Sequence, residues 1–197
     1  MEIKGVIVGL GNPGSQYATT RHNLGFLTLE AFLKNISVEH TVNQVSTSKF
    51  NGITFKAEYN NSAWICAFPQ TFMNLSGDCV QPLLAWYKIT PENLFVIHDE
   101  LDLTPGRIQL KKGGGNAGHN GLKSISNRLG TQDYFRLRMG IGRPKDSAQV
   151  SSWVLGGFGQ DKPLIEDAIS QGVIALKDII TLGTTKAMNK INTKKKE

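Results

Sequence analysis

The sequence predicts an α/β fold, a sandwich of helices over a largely parallel sheet, and three observations carry that expectation. Short apolar runs without alternation recur at Val6-Ile7-Val8, Trp64 to Phe68, Leu94 to Ile97 and, less purely, Phe135 to Met139. Runs of that length and evenness belong to strands buried on both faces. Between them the apolar residues fall at helical spacing, and strands alternating with helices mark this class. With 197 residues, 40% hydrophobic and 19% charged, the chain has the composition of one domain with a substantial core.

Taken in order, Ile3 to Val8 forms a strand that runs into Gly9-Leu10-Gly11-Asn12-Pro13-Gly14. Leu24, Leu27 and Ala31, with Phe32, share one helical face. Ile53 to Tyr59 alternates, and Asn60-Asn61-Ser62 turns it into Trp64 to Phe68, which is the pattern of a hairpin. Val80, Leu83, Leu84 and Tyr87 mark the next helix, and Leu94 to Ile97 the next buried strand. Arg107 to Lys111 alternates, with Ile108 and Leu110 on one side, and suits a strand near a sheet edge. A helix start at Asn120 fits Leu122 and Ile125. The longest helical stripe runs from Leu164 to Ile180, opened by Pro163 at a first-turn position. Thr184 to Glu197 is lysine-rich with almost no bulky apolar residue, so it is expected to fray. The domain is accordingly placed at 1–185, with 186–197 as a basic, flexible tail.

Several classes are excluded. No apolar run approaches the ~20 residues of a membrane-spanning helix. Met1 leads directly into the first strand rather than into an apolar leader, so a cytoplasmic protein is expected. Cys66 and Cys79 lack any CxxC spacing, which rules out a disulfide framework and a zinc ribbon. Lys and Arg total 22 against 16 Asp and Glu, a net +6. The segment Leu103 to Lys145 holds nine basic residues against Asp133 alone. So concentrated a basic zone points to a polyanion, with nucleic acid ahead of membrane because no basic amphipathic helix accompanies it.

Polar, loop-forming residues follow three of the strands, where ligands gather in open α/β sheets. They are Asn12 to Asn23 after the first, Pro69 to Gly77 after Trp64 to Phe68, and His98 to Asp102 at the end of Leu94 to Ile97. Gly9, Gly11 and Gly14 match GxGxxG, but Pro13 removes a donor where a pyrophosphate needs one. The acidic residue expected about 20 positions on falls at Glu30, inside a helix. A tight turn is the better account. Gly113-Gly114-Gly115 is no P-loop, since no GK[ST] follows. His22 and Asp99, at two strand ends, can pair as a general base held by a carboxylate. Ser76 has no GxSxG frame, and both cysteines fall in apolar or helical runs, so attack by activated water is favoured over a covalent intermediate. Asp99, Glu100 and Asp102 as a metal group rank second, because neighbours on a strand point to opposite faces. Asn12, Asn74 and Asn120 offer amides suited to a peptide, a water or an oxyanion, with helix capping a rival role for Asn120.

These residues together carry a family likeness. Val8 to Gly14, Tyr17, Thr20-Arg21-His22-Asn23-Leu24-Gly25, Pro69 with Thr71 to Gly77, and His98 to Leu103 closely resemble bacterial-type peptidyl-tRNA hydrolases. So do Gly113 to Gly115, Gly118 to Leu122 and Phe135 to Pro144, in the same order. The resemblance implies a monomeric α/β/α sandwich around a twisted, mostly parallel mixed sheet. It implies an esterase without metal or cofactor, acting on peptidyl-tRNA at the bond between the peptide and the terminal ribose. It makes His22 the base for water and Asp99 its stabiliser, with Asn12 recognising a blocked amino group. It gives Asn74 and Asn120 the peptide and the water, and lets Tyr17, Phe72 and Met73 shape the cleft. A clamp for tRNA phosphate is implied at Lys111 and Arg138. Many members carry a second lysine two positions before the first. Here that position is Gln109, while Lys112 lies on the opposite strand face. The alternative is a non-catalytic RNA-binding module on the same fold.

Overall fold

The computed structural model describes residues 1–46 and 48–193. Its strands are β1 (Ile3–Gly9), β2 (Val42–Ser46), β3 (Gly52–Tyr59), β4 (Ser62–Pro69), β5 (Leu94–Glu100), β6 (Ile108–Lys112) and β7 (Phe135–Gly140). Its helices are α1 (Leu24–Ile36), α2 (Gly77–Tyr87), α3 (Asn120–Leu129), α4 (Val150–Val154), α5 (Lys162–Leu182) and α6 (Thr184–Thr193). The strands form one sheet in the order β2-β3-β4-β1-β5-β7-β6. β4, β1, β5 and β7 are parallel, and antiparallel pairs close both edges.

Alternate residues of the even apolar runs serve opposite cores. Val6 and Val8 of β1 pack with α2 and α3, whereas Ile7 packs with α1, α5 and α6. β5 repeats the division, with Leu94 and Val96 on one side and Phe95 and Ile97 on the other. Two cores therefore sandwich the sheet in three layers, as expected for strands with no polar face. The hairpin also forms: Asn60 and Asn61 take φ of 48° and 56°, the left-handed pair that a two-residue turn between twisted strands demands. β6 lies at the edge.

Three segments depart from expectation. β2 carries no apolar pattern because it is an edge strand with its middle residues exposed. The turn-and-helix segment around α4 contributes no buried side chain, so it left no helical stripe to read. The segment expected to fray is helical over Thr184–Thr193. Ala187 and Ile191, one turn apart, are buried, and the Asn192 amide donates to the Leu110 carbonyl and accepts from the Leu110 N–H at 2.9 Å each. That exchange satisfies edge groups of β6 that would otherwise face water. The remaining tail, 194–197, lies outside the described residues.

One close approach sets up the site. A Cβ on Gly9 would lie 2.5 Å from the Gly25 carbonyl oxygen, so β1 and the start of α1 meet backbone to backbone. Leu10 N–H donates to the Ile97 carbonyl (3.0 Å) and Phe26 N–H to the Leu10 carbonyl (3.1 Å). The glycine motif thus serves helix–strand contact rather than a pyrophosphate, and it holds the turn Arg21–Asn23 over the end of β5.

Candidate active site

His22 sits on the 3₁₀ turn Arg21–Asn23 and Asp99 near the end of β5, both buried. His22 Nδ1 lies 2.8 Å from Asp99 Oδ1. The same carboxylate oxygen is 3.0 Å from Nε2 of His119. His119 precedes α3, and its Nδ1 accepts from the N–H groups of Gly121 (3.1 Å) and Leu122 (3.3 Å). An imidazole whose Nδ1 accepts carries its proton on Nε2, so His119 donates to Asp99. His22 donates to Asp99 through Nδ1, which leaves its Nε2 lone pair as a base. The helix cap expected of Asn120 is thus supplied by His119, and Asn120 is the first helical residue.

Electrostatics supports this hydrogen-bond pattern. Burial alone pushes the Asp99 carboxyl up, but the charges of His22 and His119 and their hydrogen bonds outweigh it and hold Asp99 well below the usual carboxylate range. The adjacent His98 is pushed down to about 3, chiefly by burial and then by His119, so it stays neutral. His98 Nδ1 faces the Asp99 carbonyl at 2.7 Å, which stiffens the backbone beside the carboxylate.

Asn12 is held at three points. Its N–H donates to Asn23 Oδ1 and its carbonyl accepts from Asn23 Nδ2, at 2.9 Å each. Its own Oδ1 accepts from the Met73 N–H at 2.8 Å. With that oxygen engaged, the Asn12 NH2 is what remains for a ligand. Asn12, His22, Phe72, Met73, Asn74, Asp99 and Asn120 all line one cavity of about 770 Å³. Tyr17, partly buried on the turn Ser15–Tyr17, is not among its lining residues.

Lys111 and Arg138 line a second, smaller polar cavity of about 260 Å³, with His98, Glu100 and Arg136. Glu100 and Ala117 line both, so the cavities adjoin. Arg138 donates to Glu100 Oε2 (2.8 Å) and to Gln109 Oε1. Gln109 therefore orients Arg138 where a lysine would repel it. Lys112 points to the other face, its Nζ 5.8 Å from the centre of the Phe135 ring.

The rival chemistries fare poorly. Asp102 pairs with Arg143 and Glu100 with Arg138, which breaks up the carboxylate group. Among the described residues, His22, Asp99 and His119 lie at ligand spacing, within 4.8 Å of one another. A cation on His119 Nε2, however, would force the ring proton onto Nδ1, against two backbone N–H donors. The donor set fits a hydrogen-bonded relay. Burial pushes the Cys66 thiol up and the Cys79 thiol to about 12, and the Ser76 hydroxyl donates to the Met73 carbonyl at 2.8 Å, so no activated nucleophile stands here.

His119 is the functional residue that sequence reasoning missed. Its signal was a histidine directly before a helix start, in a loop leading from one strand end. Arg143, on the cleft, had counted only as part of the basic zone.

Comparison with known proteins identifies the family and the fold. The sequence model of the family described as Peptidyl-tRNA hydrolase matches residues 6–197. A peptidyl-tRNA hydrolase of Desulfovibrio desulfuricans is 51% identical over 170 residues, 85% of this chain and 72% of that one. Another, of Oleidesulfovibrio alaskensis, is 45% identical and covers 98% of both chains. The crystal structure of the Acinetobacter baumannii peptidyl-tRNA hydrolase superposes with a TM-score of 0.90 at 39% identity, over 98% of this chain and 96% of that one. A purine nucleoside phosphorylase of Toxoplasma gondii, TM-score 0.53 at 9% identity, shares the fold alone. With a matching family model, full-length relatives and a superposable crystal structure, this chain belongs to the peptidyl-tRNA hydrolase family.

Proposed function

We propose that this chain hydrolyses the ester between a peptide and the terminal ribose of tRNA, recycling tRNA from prematurely released peptidyl-tRNA. The observation that carries this reading is the His22–Asp99 contact of 2.8 Å through Nδ1, with His22 on a cleft that Asn12, Asn74 and Asn120 also line. A water bound at Nε2 gives up its proton to the imidazole as its oxygen attacks the ester carbonyl. Asp99 stabilises the imidazolium that forms. The developing oxyanion and the water are held by the amides of Asn74 and Asn120. Collapse breaks the carbon–oxygen bond to the ribose, and His22 returns the proton to the leaving oxygen.

Asn12 explains selectivity for blocked amino groups in this scheme. Its free NH2 donates to a carbonyl, and an N-acyl group brings one that a free aminoacyl group lacks. Phe72, more than half exposed, and Met73 shape the peptide end of the cleft. The tRNA body meets Lys111 and Arg138 in the adjoining cavity. We assign the reaction to a monomer in the cytoplasm, where translation supplies the substrate. Among the described residues, no helix is long and apolar enough to cross a membrane.

Purified protein is expected to cleave N-acetyl-aminoacyl-tRNA in excess EDTA. Turnover that vanished with the chelator and returned with metal would refute the relay, and tRNA retention in a gel shift without turnover would favour the non-catalytic RNA-binding module. Lys111→Ala is expected to weaken tRNA binding and to flatten the log-affinity against log-salt slope by about 1 or less, one phosphate contact. An unchanged slope would place the lysine in solvent only.

A further inference from the structure

The wall of the cleft opposite Met73 and Asn74 is a short, weakly founded piece of chain. It comprises the turn Ser147–Gln149 and α4, and it presents Ser147, Ala148, Ser151, Val154 and Leu155 to the cavity. α4 has five residues and no buried side chain, and so short a helix is unstable by itself. Its one ladder contact with the fold is an isolated antiparallel bridge between Thr20 and Gly157. Something other than helix propensity must hold this wall at its distance from His22.

Arg21, the residue before His22, occupies that position. Its N–H donates to the Gly156 carbonyl at 3.0 Å. Its guanidinium carbon lies 3.8 Å from the centre of the Trp153 ring. The guanidinium donates to the carbonyls of Trp153 (3.5 Å), Phe158 (3.4 Å) and Gly157, and it approaches the Asp161 carboxylate at 3.5 Å. The Arg21 side chain is only 8% exposed. The carbonyls it collects lie at and beyond the C-terminus of α4, where a cation is favoured by the helix dipole, and that of Trp153 accepts from the Gly156 N–H as well (3.2 Å). Trp153 in turn donates from Nε1 to the Gly142 carbonyl at 3.0 Å, which ties the same residue to the loop after β7.

We infer that Arg21 is a positioning residue for the reaction, clasping the cleft wall to the catalytic turn and thereby setting the affinity for the acyl end of the substrate. A planar, forked cation can stack on the indole and reach several carbonyls at once, which a lysine ammonium cannot. The clasp and the base are neighbours in sequence but face opposite ways. Arg21 reaches toward the wall while His22 reaches toward Asp99. Loosening the clasp therefore costs binding before it costs chemistry. The inference rests on the hydrolase reading given above.

The test compares wild type with Arg21→Lys and, on the wall itself, Trp153→Leu, using N-acetyl-aminoacyl-tRNA. Both variants are expected to raise KM about tenfold, hold kcat within about twofold, and leave the acid limb of the kcat/KM profile in place. Amides of residues 148–155 are expected to exchange faster in both variants, while those of β1 and β5 stay protected. Unchanged KM and exchange would overturn the inference. So would a fall in kcat or a displaced acid limb, which would mean that Arg21 acts on His22. If Arg21→Lys fails to fold, Trp153→Leu, which leaves the catalytic turn intact, decides alone. Absence of turnover in the wild type would refute the hydrolase reading, and the exchange pattern would still report on the clasp.

Discussion

His22→Ala is expected to lose roughly 10²–10⁴-fold in kcat while binding tRNA about as well as the wild type. The size follows from what is removed. Nε2 of His22 is the one free lone pair of the relay, because Nδ1 is directed at Asp99 and both nitrogens of His119 are engaged. Without it, water must attack unassisted, although the amides that hold the oxyanion remain. Binding is spared because the basic residues lie in the adjoining cavity. Single-turnover rates beside a filter-binding isotherm separate the two quantities. Undiminished turnover would remove His22 from the mechanism.

Asp99→Asn is expected to cost on the order of 10²-fold or more in kcat with tRNA affinity little changed. The amide oxygen can still accept from His22, so the geometry survives, but the counter-charge for the imidazolium is lost. The acid limb of kcat/KM is accordingly expected to move to lower pH, as a macroscopic property of the coupled group. Stability changes in the same variant. The wild-type carboxyl titrates below its unfolded value. Its contribution to stability is therefore complete above about pH 4 and is lost as the pH falls toward its folded value. Urea unfolding of the wild type should weaken on acidification more steeply than that of Asp99→Asn. Equal slopes would show that the histidines do not hold the ionised form.

Local patterns foretold local structure well where burial is even. β1, β4 and β5 read as apolar runs, and β7 less purely, because both faces of each are covered. The turn Asn60-Asn61 read correctly because left-handed backbone selects residue type directly. β2 and α4 escaped because neither buries a continuous face. α6 escaped for a related reason: its two docking residues, Ala187 and Ile191, are too few to raise an apolar stripe above its two lysines and five other polar residues.

The candidate site divides in the same way. His22, Asp99, Asn12 and Asn74 were legible as polar residues at strand ends and Asn120 at a helix start, and the order of the strands determines that the strand ends converge. The second histidine on Asp99, the engagement of Asn12 Oδ1 by Met73, the Gln109–Arg138 contact and the Arg21 clasp were not legible. Each joins residues far apart in the chain through one or two hydrogen bonds, and a single contact leaves no periodicity behind. The amino-acid order by itself determined the layers, because burial repeats along the central strands and the longer helices, and its motifs marked the family and the candidate site. Only the tertiary structure decided which ring nitrogen meets which partner and which residues pack against the cleft wall. Those depend on distances of a few ångströms between elements, and these arise when the elements pack.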